Sequence, residues 1–340
     1  MRKYALLSLG FLLLLVLNNV ACYRLYNYLN PPIKPVTESY LTQNYTKLLD
    51  STITVRSISD TEEGLGTGIW YKDGYIVTAY HVVENSKAVF VTRDGIAKAL
   101  QCSVYAYDPV LDIAIIKVNN ADQQNIALFK PTYLNWANSN EQQVGETVWA
   151  IGNPVGITDT ITQGIVSYTS RIFQTINPFS RYIQTDASIN EGNSGGDVIN
   201  ANGRIVGMSD FINTNGGNGS IGLNFAIQSD IVKQTVDNLL SGKKIVHPYI
   251  GIALSFINNE AVMSPDPTGP AKAINPYDEL ISANGRTFSS IAEWTNFEES
   301  LTVGQFVTIK LDRINTDGSE TIKIVEVEVI NSPIFIDRVQ

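Results

Sequence analysis

A chain of 340 residues with 44% apolar content carries enough material for two or three domains with cores of their own. Its net charge of −9 argues against nucleic acid as a main partner, and its two cysteines exclude a disulfide framework.

Met1-Arg2-Lys3 leads into an apolar stretch from Tyr4 to Leu17, short for a membrane span and sufficient for a signal-peptide core. Extended through Ala21, it could serve as a signal anchor with its basic end cytoplasmic. Cys22 after Val20-Ala21 leaves a lipidated terminus open as a third reading, with Asn19 standing where an aliphatic residue is wanted. All three export the remainder of the chain. Residues 1–22 are therefore read as a signal peptide or membrane anchor, and 23–45, with Asn30-Pro31-Pro32-Ile33-Lys34-Pro35, as an extended tether.

From 51 to 228, short β-branched runs broken by Gly, Asn and Asp predict an antiparallel β-barrel protein in two halves. Cys102 is expected as a packed strand residue with an inert thiol. Ile231, Val232, Val236, Leu239 and Leu240 predict a closing helix with Ser229 as N-cap and Gly242 as stop. A boundary falls at 241–248, where His247 is expected at the surface.

Asn190-Glu191-Gly192-Asn193-Ser194-Gly195-Gly196 frames one serine with three glycines. Serine is a weak nucleophile until a base and an orienting group assist it. Glycines let successive N–H groups converge on one point, although Gly and Asn are also ordinary turn formers. The two histidines are His81, at the end of a strand-like run, and His247. Asp112 stands directly before the apolar run Ile113 to Val118, where a carboxylate is costly unless paired.

The order His81, Asp112, Ser194 is that of chymotrypsin-type serine proteases. Gly66 to Val83, Asp108 to Val118, Val144 to Gly156 and Tyr182 to Gly196 resemble, in order, the histidine, aspartate, Ile-Gly-Asn-Pro and serine segments of the HtrA (Deg) proteases. Two positions depart from that pattern. Asp197 replaces the usual proline after the serine loop, and Glu191 precedes its first glycine. Both are expected to add negative charge near the active site.

The resemblance implies an all-β dominated chain: a chymotrypsin-like double β-barrel protease domain over 46–242, then a small α+β PDZ domain over 247–332. It implies an exported serine endopeptidase, periplasmic or in the cell envelope, working through an acyl-enzyme with no cofactor and no metal. Ser194 would attack, His81 would carry the proton, and Asp112 would orient the imidazole. Gly192, Asn193 and Ser194 would form the oxyanion hole, and Ser188, Ile189, Gly222, Leu223 and Asn224 the specificity pocket. No carboxylate occupies the place of Ser188, so basic side chains are not expected there. A small or medium apolar residue is.

Tyr249-Ile250-Gly251-Ile252 resembles the carboxylate-binding loop of an HtrA-type PDZ domain, which takes C-terminal peptides by strand addition. Gly269 to Ile281 resembles the helix, turn and strand of that domain, with Tyr277 replacing a glycine. Ser290 to Glu299 would be a second helix, and 304–313 and 320–330 the last strands. A single PDZ domain and a possible anchor resemble DegS-like regulatory members. Aromatic residues at the tether junction, Tyr40 and Tyr45, are candidates for a homotrimer contact. The reading from another class is a non-proteolytic chaperone or peptide-binding protein on a protease scaffold, but that would be expected to replace one triad residue.

Overall fold

The computed structural model describes residues 40–153, 159–174, 177–212, 220–315 and 317–332. The expected export segment, most of the tether and the side chain of Tyr40 lie outside the described residues. The last part of the expected tether is not extended: Tyr40–Leu49 form helix α1. Leu48 and Leu49 at its end are buried in the main core, and that docking holds the helix.

Six strands close a first antiparallel barrel: β1 (Thr52–Ile58), β2 (Glu63–Lys72), β3 (Tyr75–Ala79), β4 (Ala88–Arg93), β5 (Ile96–Asp108) and β6 (Ile113–Val118), in the order β1-β2-β3-β6-β5-β4. A four-residue helix α2, Tyr80–Val83, follows β3. Six more close a second barrel: β7 (Thr147–Gly152), β8 (Thr160–Phe173), β9 (Asn177–Thr185), β10 (Asp197–Asn200), β11 (Ile205–Ile212) and β12 (Asn224–Gln228), in the order β10-β11-β12-β9-β8-β7.

The near-continuous apolar run of β6 has a geometric cause. Successive strand side chains point to opposite faces. Ala114, Ile116 and Val118 fill the first barrel with Ile53, Trp70, Ile76 and Leu100. Ile113 and Ile115 face outward into a second core shared with Ile151, Ile199, Met208 and Ile227 of the other barrel. The two barrels are thus sealed along a strand that is buried on both faces. Cys102 packs inside the first barrel, where burial pushes its thiol up to about 12, so it stays a neutral thiol.

Helix α3, Ser229–Leu240, covers the joint with Val232 and Val236. Its N-cap position is Gln228, because the Ser229 hydroxyl instead donates to Ala137 O at 2.8 Å. Gly242, at φ +72°, ends the helix with its N–H on Leu239 O, as expected of a glycine in the left-handed region. His247 is not a surface residue. Its side chain is 12% exposed, packs on Phe179 and places Nε2 2.7 Å from Asp108 Oδ2.

Beyond this point lie β13 (Pro248–Tyr249), paired with β19 (Ile330–Asn331), and a five-stranded antiparallel sheet of β14 (Ile252–Ile257), β15 (Glu260–Pro265), β16 (Glu279–Ala283), β17 (Phe306–Ile314) and β18 (Glu320–Glu328) in sequential order. Helix α4, Ile291–Glu299, is capped by Ser290 Oγ and buries Trp294 and Phe297 against that sheet. The helix expected within 269–281 is absent: turns fill that interval up to β16. Pro270 and Pro276 interrupt it, and a residue before proline is steered away from helical backbone. Tyr277 takes φ +73° with its ring exposed, the conformation a glycine adopts without strain.

Candidate active site

Asp108 shapes the turn between β5 and β6. Its Oδ1 accepts the N–H groups of Val110 and Leu111 at 3.0 and 3.1 Å, an Asx turn. The turn delivers Asp112 at φ +59°, almost wholly buried, with one carboxylate oxygen on His81 N–H (2.9 Å) and the other on His81 Nδ1 (2.7 Å). Both oxygens are thus committed to one residue. The pair fixes Nδ1 as the protonated nitrogen of a neutral ring and turns Nε2 outward as the acceptor. His81 sits on α2, where Val82 and Val83 are buried in the first barrel and its own ring is about one-third exposed.

The serine loop is held from both barrels. Thr67 of β2 donates its N–H to Ser194 O (2.9 Å) and its hydroxyl to Gly192 O (2.7 Å). From β11, Ser209 accepts Gly195 N–H and donates to Gly196 O, both at 2.8 Å. Gly192 and Gly195 take φ of +93° and +85°, which glycine alone reaches cheaply. The Gly192 and Ser194 N–H groups have no acceptor among the described residues. Asn193 does not join them: its N–H turns inward to Asn190 O at 3.0 Å, closing the tight turn that carries the serine. The Ser194 hydroxyl donates to the main-chain O of Asp210 at 3.1 Å. It has one proton to give, so in this state it is not the donor to His81.

Asp210 is a residue that sequence reading overlooked. One carboxylate oxygen of Asp210, one of Asp112 and one ring nitrogen of His81 lie within 4.8 Å of one another. The available signal was a carboxylate inside the otherwise strand-like Ile205 to Ile212. The three donor atoms could face a small cation, but both Asp112 oxygens already hold His81, which suits ion pairing with an imidazolium better than metal ligation.

The two departures from the family pattern behave differently. Glu191 is exposed on the loop rim. Asp197 is fully buried and turned away from the solvent, with Ser51 Oγ 2.8 Å from its Oδ2. Burial pushes its carboxyl up to about 7. It therefore does not add a charge to the active-site surface.

Among the expected pocket residues, Ser188, Gly222 and Leu223 are at least partly exposed, and Ser188 O accepts the Thr162 hydroxyl at 2.6 Å. Ile189 is no pocket wall: it packs with Val148, Val166 and Val198 inside the second barrel, while Ser188 is exposed. Asn224 is fully buried, and its Nδ2 donates to Thr185 O and Ala187 O, tying β12 to the segment that leads into Ser188.

At the C-terminal sheet, Gly251 at φ +73° bends the chain before β14, which forms the sheet's edge. Ile250 and Ile252 are buried, and Ile252 O accepts Trp294 Nε1–H from α4. Tyr249 OH donates to Asp266 Oδ2 at 2.8 Å, and burial above all raises its phenol. A cavity of about 300 Å³ opens between Tyr249, Gly251, Ile252, Asp266, Glu298 and Gln174 of the β8–β9 hairpin. Glu298, wholly buried, has its carboxyl raised well above the usual range by desolvation. Leu254 N–H on the β14 edge donates to Gln174 Oε1 at 2.8 Å. Arg181 of β9 pairs with Glu299 and Asn296 of α4.

Residues 66–208 match the trypsin-like peptidase domain. The chain is 33% identical over 266 residues to a probable periplasmic serine endoprotease DegP-like of Chlamydia trachomatis, covering 73% of this chain and 51% of that protein. It is 32% identical over 273 residues to the periplasmic serine endoprotease DegP of Escherichia coli K12, covering 76% and 55%. The chain thus spans about half the length of the curated relatives it matches. The HtrA-type protease AlgW with a tripeptide superposes with TM-score 0.65 at 24% identity, covering 85% of this chain and 97% of that one, a likeness of fold. With two six-stranded barrels, a glycine-framed serine between them and these relatives, the chain belongs to the HtrA/Deg family of trypsin-like serine proteases.

Proposed function

We propose that the chain is an exported serine endopeptidase that hydrolyses peptide bonds in protein substrates through His81, Asp112 and Ser194. The observation that carries this reading is the 2.7 Å bond between His81 Nδ1 and Asp112, which leaves Nε2 to serve the serine loop. On substrate binding Ser194 Oγ leaves Asp210 O and attacks the carbonyl carbon while its proton passes to His81 Nε2. The oxyanion then meets the N–H groups of Gly192 and Ser194, each such donor contributing on the order of 3 kcal/mol. His81 returns the proton to the departing amine, leaving an ester on Ser194. Water attacks that ester with the same base, and its proton finally returns to Ser194. Ser188 and Leu223 border a pocket for a small or medium apolar side chain, with no carboxylate to select Lys or Arg.

Residues 247–332 act, on this reading, as a PDZ domain that takes C-terminal peptides along β14. The turn at Gly251 receives the carboxylate, and regulation or substrate delivery is the outcome. The relatives named periplasmic support a periplasmic site, with the N-terminal segment as leader or anchor. Tyr45, half-exposed on α1, is available to another copy in a homotrimer.

Casein turnover by the full chain and by Ser194→Ala tests the reaction. Loss on the order of 10⁶-fold is expected; equal turnover by the variant would remove Ser194 as the nucleophile, and no turnover by either protein would leave the chaperone reading in its place. Sedimentation of the same proteins tests the trimer, which a monomer at all concentrations would refute.

A further inference from the structure

Asp210 occupies an irregular point of β11. That strand pairs Ser209 with Ala226 and then Phe211 with Phe225, so Asp210 is the extra residue of a β-bulge. Bulges re-aim a side chain and recur beside active sites. Here the bulge is locked from the opposite side, since Ser209 is bonded to both glycines that follow Ser194. Asp210 is 3% exposed, and a carboxylate so placed has to be offset by a cation or donors. The groups it reaches are both members of the His81–Asp112 pair and the nucleophile itself. Its carboxylate joins the cluster with His81 and Asp112, and its carbonyl accepts the Ser194 hydroxyl.

We propose, on the reading of His81, Asp112 and Ser194 as the triad, that Asp210 is a positioning residue for it: its carboxylate is the second negative partner of the His81 imidazolium, and its carbonyl holds the resting Ser194 hydroxyl. The ring is neutral before attack and cationic once it has taken the serine proton. Asp112 bonds the cation directly through Nδ1, and Asp210 adds a negative charge from a different strand. Among the described residues, Tyr80 and Glu84 stand beside His81 in sequence, and Tyr107 of β5 is stacked on Tyr80 at 4.8 Å. Burial first, then Glu84, Tyr107 and Asp112, raise the Tyr80 phenol, so it is neutral at working pH. A carboxylate that faces the imidazolium makes His81 keep its proton to higher pH than Asp112 alone would.

The chain holds two histidines, and the second is an internal reference, since His247 pairs with Asp108. In the full chain carrying Ser194→Ala, proton NMR titration of the imidazole C2–H signals is recorded with and without Asp210→Asn, a change that keeps size and removes charge. The His81 midpoint is expected to fall by about one pH unit or more, with His247 unmoved. In the Ser194 chain, labelling by a fluorophosphonate probe, in which Ser194 Oγ displaces fluoride, should show its acid limb displaced downward by the same amount. The plateau rate should fall about tenfold, and Asp210→Glu should recover part of it. Melting curves verify that each variant is folded, and Asp210→Ser replaces the asparagine if that variant is not. A His81 midpoint that stays put, or rises, overturns the proposal. So does a shift no larger than the one produced by Asp197→Asn. Full casein turnover by Ser194→Ala would instead refute the triad reading, and the His81 titration would still decide on Asp210.

Discussion

Thr67 holds both flanks of Asn193: its hydroxyl donates to Gly192 O at 2.7 Å and its N–H donates to Ser194 O at 2.9 Å. A strand of the first barrel thereby sets the conformation of a loop that belongs to the second. The same hydroxyl accepts Asn153 N–H at 3.0 Å, so it is a donor and an acceptor at once. Thr67→Val keeps the shape and removes both bonds, leaving buried groups unpaired at about 1–3 kcal/mol each. The expected outcome is a kcat loss of at least tenfold with KM little changed, because the Gly192 peptide is released from its orientation. Steady-state kinetics on a chromogenic peptide read this, and an unchanged kcat would count against it.

Gly195 admits no side chain. A Cβ there would lie 2.3 Å from Thr67 O and 2.7 Å from Ala79 N, at φ +85°. Gly222 has the same φ with nothing within 4 Å. Gly195→Ala is expected to lose activity and more than about 3 kcal/mol of stability. Gly222→Ala should cost about 1 kcal/mol, the strain of the backbone alone. Urea melts of the two variants side by side separate the contributions.

Asp197 predicts an inverted pH dependence of stability. Its carboxyl titrates at about 7 in the folded chain against 3.8 for the ordinary group. Ser51 Oγ also lies 2.6 Å from Leu48 O. A protonated Asp197 completes this chain by donating to Ser51, which donates to Leu48 O. The folded state binds the extra proton between the two values, so the stabilisation is complete below about pH 4 and fades as pH rises through 7. Asp197→Asn is neutral throughout and removes that slope. The variant should be the more stable protein at pH 8, by up to about 4 kcal/mol, and nearly equal to the parent at pH 4. Chemical denaturation at both pH values would show a constant difference if the idea is wrong.

Gln174 takes a donor that an added strand would need. A peptide pairing with the β14 edge has to displace Gln174 Oε1 from Leu254 N–H. Gln174→Ala is expected to tighten binding of a C-terminal peptide about threefold to tenfold, the value of one neutral hydrogen bond. Fluorescence anisotropy with a labelled peptide library measures it. Weaker binding would mean that the glutamine assists the peptide and does not compete with it.

The legible part of the site was the part carried by local chemistry. His81, Asp112 and Ser194 each sit in a short segment whose residue types state their need for partners, and the structure places His81 on Asp112 as that need requires. Ile189, in the irregular segment after β9, packs inside the second barrel, and Asn224 opens β12, all of whose residues are buried; neither burial can be read from a local motif. Asn193 was misread because a glycine-framed serine does not reveal which of three consecutive N–H groups closes the turn. Asp197 was expected to add negative charge near the active site, yet it is buried on Ser51, which lies far away in sequence and next to it in space. Asp210 had no motif at all. Its meaning comes from a bulge, and a bulge is a property of two paired strands. The turns over 269–281 likewise arise from prolines that outweigh the family's pattern of helix and turn.

Asp108 gives one oxygen to the turn that presents Asp112 and the other to His247, the residue through which the chain leaves the barrels. Ser332, at the far end of the C-terminal sheet, also donates its N–H to His247 O at 2.8 Å. Entry and exit of that domain are therefore fastened at one rivet, and the rivet is shared with the turn that presents Asp112. Arg181 with Glu299 and Gln174 with Leu254 fasten the same domain to the second barrel, but the Asp108 contact alone also shapes the turn that carries Asp112.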